Sequence, residues 1–204
     1  MPEDRKEYYY KKRELFNSRK EDNITHSALF IFLNRTCFNG LFRVNQNNGF
    51  NVPIGSYKTP MICDEENLKA VNNALQKVEI LNGDYSETIR FAVNYTIFYL
   101  DPPYRPLSET SSFNSYSKDE FKDNEQIRLK KFCDTLDMQG HQWILSNSDV
   151  KGKNPHDDFF DDLYKKYNIY RVKARRNINA NGEKRGELNE LLITNKIIEY
   201  VRAI

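Results

Sequence analysis

The residues best suited to chemistry are Asp101, Pro102, Pro103 and Tyr104, which directly follow the apolar run at 95–100. The apolar run predicts a β-strand. Two consecutive prolines supply no N–H donor and fix the backbone φ near about −65°, so the chain should leave the strand in one rigid, extended shape. This shape would hold the Asp101 carboxylate, the free Pro102 carbonyl and the Tyr104 ring around one small pocket.

Two hydrogen-bond acceptors beside a flat aromatic face suit an exocyclic amine on a planar heterocycle, as in adenine. The N6 lone pair of adenine is delocalised into the ring, which makes the amine a poor nucleophile. Acceptors at Asp101 and at the Pro102 carbonyl would hold both N–H groups and favour a more pyramidal, more reactive nitrogen. Tyr104 would stack on the base once it leaves a duplex. The alternative is a proline-rich turn in which Asp101 has no catalytic role and Tyr104 belongs to the core.

Longer stretches of the sequence resemble one known family. The four residues 101–104, called the tetrad below, begin the stretch D-P-P-Y-R-P-L-S-E-T-S-S-F-N-S-Y. Two stretches come before it, N-R-T-C-F-N-G-L-F-R-V-N and F-N-V-P-I-G-S-Y-K-T-P, and two come after it, I-L-S-N-S-D and N-E-L-L-I-T-N. In this order, from residue 9 to residue 196, they resemble Dam-type (D12 class) DNA adenine-N6 methyltransferases. The resemblance implies methyl transfer from S-adenosylmethionine to adenine N6 in a specific DNA sequence. It suggests GATC as that target sequence.

The same resemblance assigns roles to individual residues. Asp101, Pro102 and Tyr104 match the catalytic tetrad of the family position by position. Asp84 and Tyr85 lie where the family lines the adenine ring of the cofactor, and Asp101 is expected to contact the cofactor as well. A plain turn residue is the alternative for Asp84.

One element of that family is not found in the 204 residues. The family has a Gly-rich F-x-G-x-G loop that cradles the methionine part of the cofactor, but no two of the eight glycines here stand in G-x-G spacing. We therefore expect a Rossmann-like class I methyltransferase sheet that lacks its first strands, with weak cofactor binding and no methyl transfer by this chain alone. Its open sheet edge should pair with a second copy of the chain or with a complementary N-terminal fragment.

Three segments are suited to contact DNA. Residues 34–60 contain six asparagines, three basic residues and no acid, and 42–52 predict a β-hairpin that could read a DNA groove. The Ser/Thr-rich loop 105–117 and the stretch 165–185, with eight basic residues and one acid, could order against the phosphates. A solvated surface is the alternative for the hairpin and the basic stretch. The residues expected to contact duplex DNA are Arg35, Asn39, Arg43, Asn47, Asn48, Asn51, Pro53, Tyr57, Lys58, Ser112, Asn114, Arg175 and Arg176.

The whole pattern predicts an α/β fold in two regions. Residues 1–63 should form an inserted target-recognition region, with two helices within 7–34 and the DNA-reading hairpin at about 42–58. Residues 64–204 should form the catalytic region. Its strand 142–147 leads into Ser146-Asn147-Ser148-Asp149, at the sheet edge where α/β folds bind ligands. The other elements predicted there are a helix at 64–77, strands at 78–81 and 95–100, a helix ending near 139, and a hairpin of 169–173 with 188–194.

Composition restricts the remaining functions. The net charge of +2 is too small to indicate a polyanionic partner by itself. The three cysteines and three histidines lack disulfide or zinc spacing, so we expect no metal site. No apolar run approaches a membrane span, and the protein should be cytoplasmic. Two other functions stay open: an inactive DNA-binding fragment, and methylation of RNA adenine or protein glutamine, where related tetrads also occur.

Overall fold

The structure, a computed structural model, describes residues 4–106, 121–175 and 187–198. These residues form two compact units, one within 4–81 and the other within 82–106, 121–175 and 187–198. The first unit contains the helices α1 (Arg5–Ser18), α2 (Asn23–Thr36) and α3 (Glu65–Leu75). The second unit contains β1 (Ile97–Leu100), α4 (Asp123–Met138), β2 (Gln142–Ser148), α5 (Phe159–Leu163), β3 (Asn168–Arg175) and β4 (Glu187–Thr194).

The first unit is held together by side chains of α1. Tyr9 and Phe16 of α1 pack against Leu29 and Leu33 of α2, so the two predicted N-terminal helices are confirmed. Asp22 caps α2 by accepting hydrogen bonds from the backbone N–H groups of Ile24 and Thr25 in its first turn. The helix predicted at 64–77 is also confirmed as α3, although every residue of it is exposed.

The hairpin predicted at 42–52 forms only in part. A single antiparallel bridge joins Val44 to Phe50, and the described residues of this region contain no β-strand. The bonds from Asn45 N–H to the Gly49 carbonyl and from Asn51 N–H to the Arg43 carbonyl flank this bridge, so the backbone groups of Phe50 face away from the other arm, towards α1. The Asn17 side chain bonds both the N–H and the carbonyl of Phe50, at 2.8 and 3.0 Å, and the Tyr9 hydroxyl donates to the Val52 carbonyl at 2.9 Å.

The second unit is built on a four-stranded mixed sheet in the order β1-β2-β4-β3. β1 runs parallel to β2, whereas β4 is antiparallel to both of its neighbours. Helix α4 packs on one face, where Leu129, Phe132 and Leu136 meet Trp143 and Leu145 of β2. The predicted strands at 95–100 and 142–147 and the closing hairpin are therefore confirmed, and the α/β class is correct.

The strand predicted at 78–81 is wrong. These residues lie outside every strand, and all four are exposed. A β-strand needs a neighbouring backbone to satisfy its N–H and carbonyl groups, and no described residue pairs with this segment. The sheet consequently begins at β1, an edge strand whose Ile97 and Tyr99 are 62% and 64% exposed.

None of the helices in the described ranges combines the length and apolar character that a membrane crossing requires.

The core of the second unit predicts a clear difference between two positions on α4. Leu136 is fully buried, so Leu136→Ala should reduce the free energy of unfolding by about 2–5 kcal/mol through lost packing and a residual cavity. Met138 is 76% exposed, and Met138→Ala should change it by no more than about 0.5 kcal/mol. Urea titration followed by fluorescence of Trp143, the single tryptophan, measures both. Equal losses in the two variants would contradict the described core.

Candidate active site

The tetrad lies where two parallel strands end side by side. Leu100, the last residue of β1, is paired with Leu145 of β2, and β2 continues through Ser146, Asn147 and Ser148. Because neighbouring parallel strands run in the same direction, this extension of β2 lies beside Asp101 and the residues that follow it. The tetrad therefore lies at the edge of the sheet where the sequence predicts ligand binding.

Ser146 links the side chains of the site. Its hydroxyl donates to Asp101 Oδ1 at 2.9 Å and accepts from the Tyr99 hydroxyl at 3.4 Å. Ser146 also hydrogen-bonds Tyr104. Burial raises the pKa of Tyr104, and the bond with Ser146 opposes this only in part, so the phenol stays neutral at physiological pH. One buried serine therefore orients both the acid and the aromatic ring of the tetrad.

The backbone of the tetrad is held by side-chain amides. Gln126 of α4 donates to the Pro103 carbonyl at 3.2 Å and accepts from the Asn147 amide, also at 3.2 Å. Asn147 in turn accepts the Arg105 N–H at 3.0 Å, and the Ser148 hydroxyl donates to the Arg105 carbonyl at 2.5 Å. The carbonyl before Tyr104 and both backbone groups of the residue after it are therefore fixed.

Arg105 anchors the end of this segment through its side chain. Its guanidinium makes a two-bond ion pair with Asp123, at 2.8 and 3.1 Å, and bonds Asp157 at 2.7 Å. The guanidinium also lies over the Phe159 ring, 4.4 Å from the centroid. The hydrogen bond with Asp123 is the main cause that raises the pKa of Arg105. A planar guanidinium can make all of these contacts at once, whereas an ammonium cannot.

Two acceptors of the tetrad stay available. No donor in the described parts of the chain bonds the Pro102 carbonyl or Asp101 Oδ2, and Asp101 itself is exposed. Tyr104 lies between them and Arg105 in sequence and is only partly buried. The arrangement presents two acceptors and an oriented aromatic ring, which is the chemistry that an amino group on a flat heterocycle requires.

The predicted cofactor residues contact α4. The Arg128 guanidinium donates to Asp84 Oδ1 at 2.6 Å, and this bond, with those from Ser86, lowers the pKa of Asp84 to about 2. Tyr85 packs edge-on against Phe132, and the Arg128 guanidinium lies 4.8 Å from the centroid of the Tyr85 ring. Between the described residues, no hydrogen bond joins this group to Asp101. Asp84 Oδ2 accepts from no described donor.

The residues predicted to contact DNA are distributed over both units. Those described with their side chains belong to the first unit, and all but the partly buried Asn51 are exposed. Arg43 donates to the Asn51 side chain at 2.9 Å, while Asn39 and Asn48 adopt positive φ values of 54° and 58°. The first-unit residues are Arg35, Asn39, Arg43, Asn47, Asn48, Asn51, Pro53, Tyr57 and Lys58. Ser112, Asn114 and Arg176 lie outside the described residues, as does the side chain of Arg175.

Sequence reasoning missed Gln126 and Arg105. A signal for Gln126 exists, because it occupies the same helical stripe as Leu129, Cys133 and Leu136, all of them buried. A polar residue in an apolar stripe has to find an internal partner. For Arg105 the sequence offers no comparable signal, since its two carboxylate partners are 18 and 52 residues away.

No three His, Cys, Asp or Glu side chains cluster as metal ligands in the described ranges.

Comparison with known proteins shows which family the chain resembles. Residues 1–178 match the family described as D12 class N6 adenine-specific DNA methyltransferase. The type II methyltransferase M.MjaIII of Methanocaldococcus jannaschii is 49% identical over 196 residues, which cover 95% of this chain and 66% of that protein. The DNA adenine methylase of Haemophilus influenzae is 36% identical over 91% of this chain and 62% of its own length. The chain spans just under two thirds of the length of these relatives.

The contacts of Arg105 predict that lysine cannot replace it. Arg105→Lys should reduce the free energy of unfolding of the second unit by about 1–3 kcal/mol, because at least one of two carboxylates loses its charged partner. Arg90→Lys is the matched control, since its ion pair with Glu87 is exposed and its loss should have no measurable effect. Urea unfolding followed by Trp143 fluorescence tests both variants. A neutral Arg105→Lys would show that the ion pairs do not anchor the segment.

Proposed function

The chain belongs to the family of D12 class N6 adenine-specific DNA methyltransferases, and from that membership we propose that it acts in methyl transfer from S-adenosylmethionine to adenine N6 in duplex DNA. The observation that carries the proposal is the pair of available acceptors, Asp101 Oδ2 and the Pro102 carbonyl, beside a ring oriented by Ser146.

Each acceptor has a definite part in the proposed reaction. The two N–H groups of adenine N6 donate to Asp101 and to the Pro102 carbonyl, which directs the nitrogen lone pair out of the base plane. Positive charge develops on N6 as the methyl group is transferred, and the Asp101 carboxylate stabilises that charge. Tyr104 stacks on the extruded base. Its hydroxyl is held by Ser146, so little conformational freedom is lost when the base enters.

The proposed cofactor contacts lie at Asp84 and Tyr85. With its pKa lowered to about 2, Asp84 is ionised, and its Oδ2, which accepts from no described donor, suits a hydroxyl or amino donor of the adenosyl group. The Tyr85 ring supplies an apolar surface for a purine. S-Adenosylmethionine supplies an electrophilic methyl group when bound. For its methionine part we propose no residues, since the 204 residues contain no G-x-G loop.

We propose that the first unit, together with the basic stretch 165–185, binds the DNA duplex. The support is chemical: amides and arginines of the first unit are exposed, and residues 34–60 carry no acid that would repel phosphate. Relatives whose names specify DNA adenine favour this substrate over RNA adenine or protein glutamine. In the described sheet β1 is an edge strand, which favours pairing with another polypeptide, such as a second copy of the chain.

The central test of this function is Asp101→Ala. Turnover is measured as labelled methyl transferred to duplex DNA by a form of the enzyme that also carries the family's Gly-rich cofactor loop, because no transfer is expected from the 204 residues alone. It should fall by ~10²–10³ because one acceptor for the amine is lost, while the Kd for duplex stays near its original value. Asp162→Ala removes an exposed acid elsewhere in the second unit and should leave both quantities unchanged. Fluorescence of 2-aminopurine at the target position reports base flipping without any cofactor.

Two results would contradict the assignment. The first is near-normal turnover in Asp101→Ala. The second is a wild-type chain that neither transfers a methyl group nor raises 2-aminopurine fluorescence on binding duplex.

The basic stretch predicts a salt-dependent affinity for DNA. If about five phosphates are neutralised, log K should fall with log salt at a slope of roughly −4 to −5. Replacing Arg175 and Arg176 with alanine should flatten the slope by up to about two. The control with the same charge change is Lys131→Ala with Lys153→Ala, two exposed lysines of the second unit that lie outside the stretch. If the slope is the same in both double variants, the stretch 165–185 is a solvated surface that does not contact DNA.

A further inference from the structure

Two buried amides enclose the backbone around Tyr104. Gln126 and Asn147 are both fully buried, although neither belongs to the acceptor pocket itself. They form one continuous chain of hydrogen bonds, which starts at the Pro103 carbonyl, passes through the two side chains and ends at the Arg105 N–H. The Pro103 carbonyl belongs to the peptide unit before Tyr104, and the Arg105 N–H belongs to the unit after it. Both peptide units of the stacking residue are thus held.

We propose that Gln126 and Asn147 are positioning residues, which set the backbone of the tetrad before the target base arrives. The inference rests on the proposed function for the reaction that it serves. The hydrogen bonds that run from the Pro103 carbonyl through Gln126 and Asn147 to the Arg105 N–H, here called the clamp, are a property of the folded chain and do not depend on that reaction.

The direction of each hydrogen bond matters to this role. The Gln126 amide has to donate at one end, to a carbonyl, and accept at the other, from Asn147. Because Gln126 bonds the Pro103 carbonyl, the carbonyl of Pro102 is the one left for a substrate. Without Gln126, the Pro103 carbonyl and the Asn147 amide would each lose a buried partner, which favours rearrangement of the segment.

A carboxyl group in place of the Gln126 amide turns this directionality into a pH test. When protonated, the carboxyl in Gln126→Glu donates through O–H and accepts through C=O, as the amide does. When ionised, it can only accept, and it repels the Pro103 carbonyl. Burial raises the pKa of such a group above its usual value of about 4.3, so the change falls in a range where the protein can be studied.

The experiment measures two quantities in Gln126→Glu between about pH 5.5 and 8. The first is hydrogen-exchange protection of the Arg105 amide relative to the wild type at the same pH. The second is kcat for methyl transfer, compared with KM for duplex, in the form of the enzyme that also carries the Gly-rich cofactor loop. At pH 8 we expect protection and kcat to be lower by at least about tenfold, with KM little changed. Both should recover towards the wild-type values as the pH falls.

Two further variants keep the result interpretable. Gln142→Glu introduces the same charge at an exposed position of β2 and should match the wild type at every pH. Gln126→Met has similar length and no polar group, so it should lose protection equally at all pH values. If Gln126→Glu does not fold at high pH, as judged by Trp143 fluorescence, Gln126→Met is measured in its place.

The possible outcomes separate the clamp from the proposed function. If the Arg105 amide is protected in the wild type and loses that protection in Gln126→Glu at pH 8, the result supports the clamp. If no methyl transfer is detected in the same experiment, only the proposed function fails. An unprotected Arg105 amide in the wild type overturns the inference. Unchanged protection in both Gln126→Glu and Gln126→Met overturns it as well, and so does loss of kcat that is the same at all pH values in Gln126→Glu.

Discussion

The parallel pairing of β1 with β2 is the interaction from which the rest of the site follows. It places Leu100 opposite Leu145 and thereby brings two chain segments, which are 45 residues apart at Asp101 and Ser146, to one edge of the sheet. β2 continues after β1 has ended, so its polar end lies beside the rigid Pro-Pro segment. A shift of this register by one residue would turn the side chain of Ser146 away from Asp101, because side chains alternate between faces along a strand.

Helix α4 has a second role beyond covering the sheet. Its Gln126 bonds the backbone of the tetrad, and its Arg128 bonds Asp84 in the segment proposed to line the cofactor. Phe132, on the same helix, packs against both Tyr85 and Phe98 of β1. One rigid element therefore contacts the backbone that follows the acceptors proposed for the substrate and the group proposed to line the methyl donor. Such shared support is how a fold keeps two reacting ligands in register.

The sequence was informative where local chemistry decides the structure. The strand at β1, the rigid turn after it and the polar end of β2 followed from apolar runs, prolines and turn residues. Local patterns failed where distant groups decide. Residues 78–81 have strand-forming side chains but no described neighbour to pair with. The hairpin is limited to one bridge between Val44 and Phe50, and the outward backbone groups of Phe50 bond Asn17 on a helix. The Gln126–Asn147 pair also depends on tertiary packing.

The most direct test of this account is a crystal structure of the protein bound to duplex DNA with its target adenine extruded. We expect N6 to lie about 2.8–3.1 Å from both Asp101 Oδ2 and the Pro102 carbonyl oxygen, as hydrogen-bonded atoms do. We also expect Tyr104 to stack on the base, with the Gln126 and Asn147 bonds as they are in the free chain. An adenine bound away from Asp101, or a tetrad whose backbone has rearranged around it, would contradict the account.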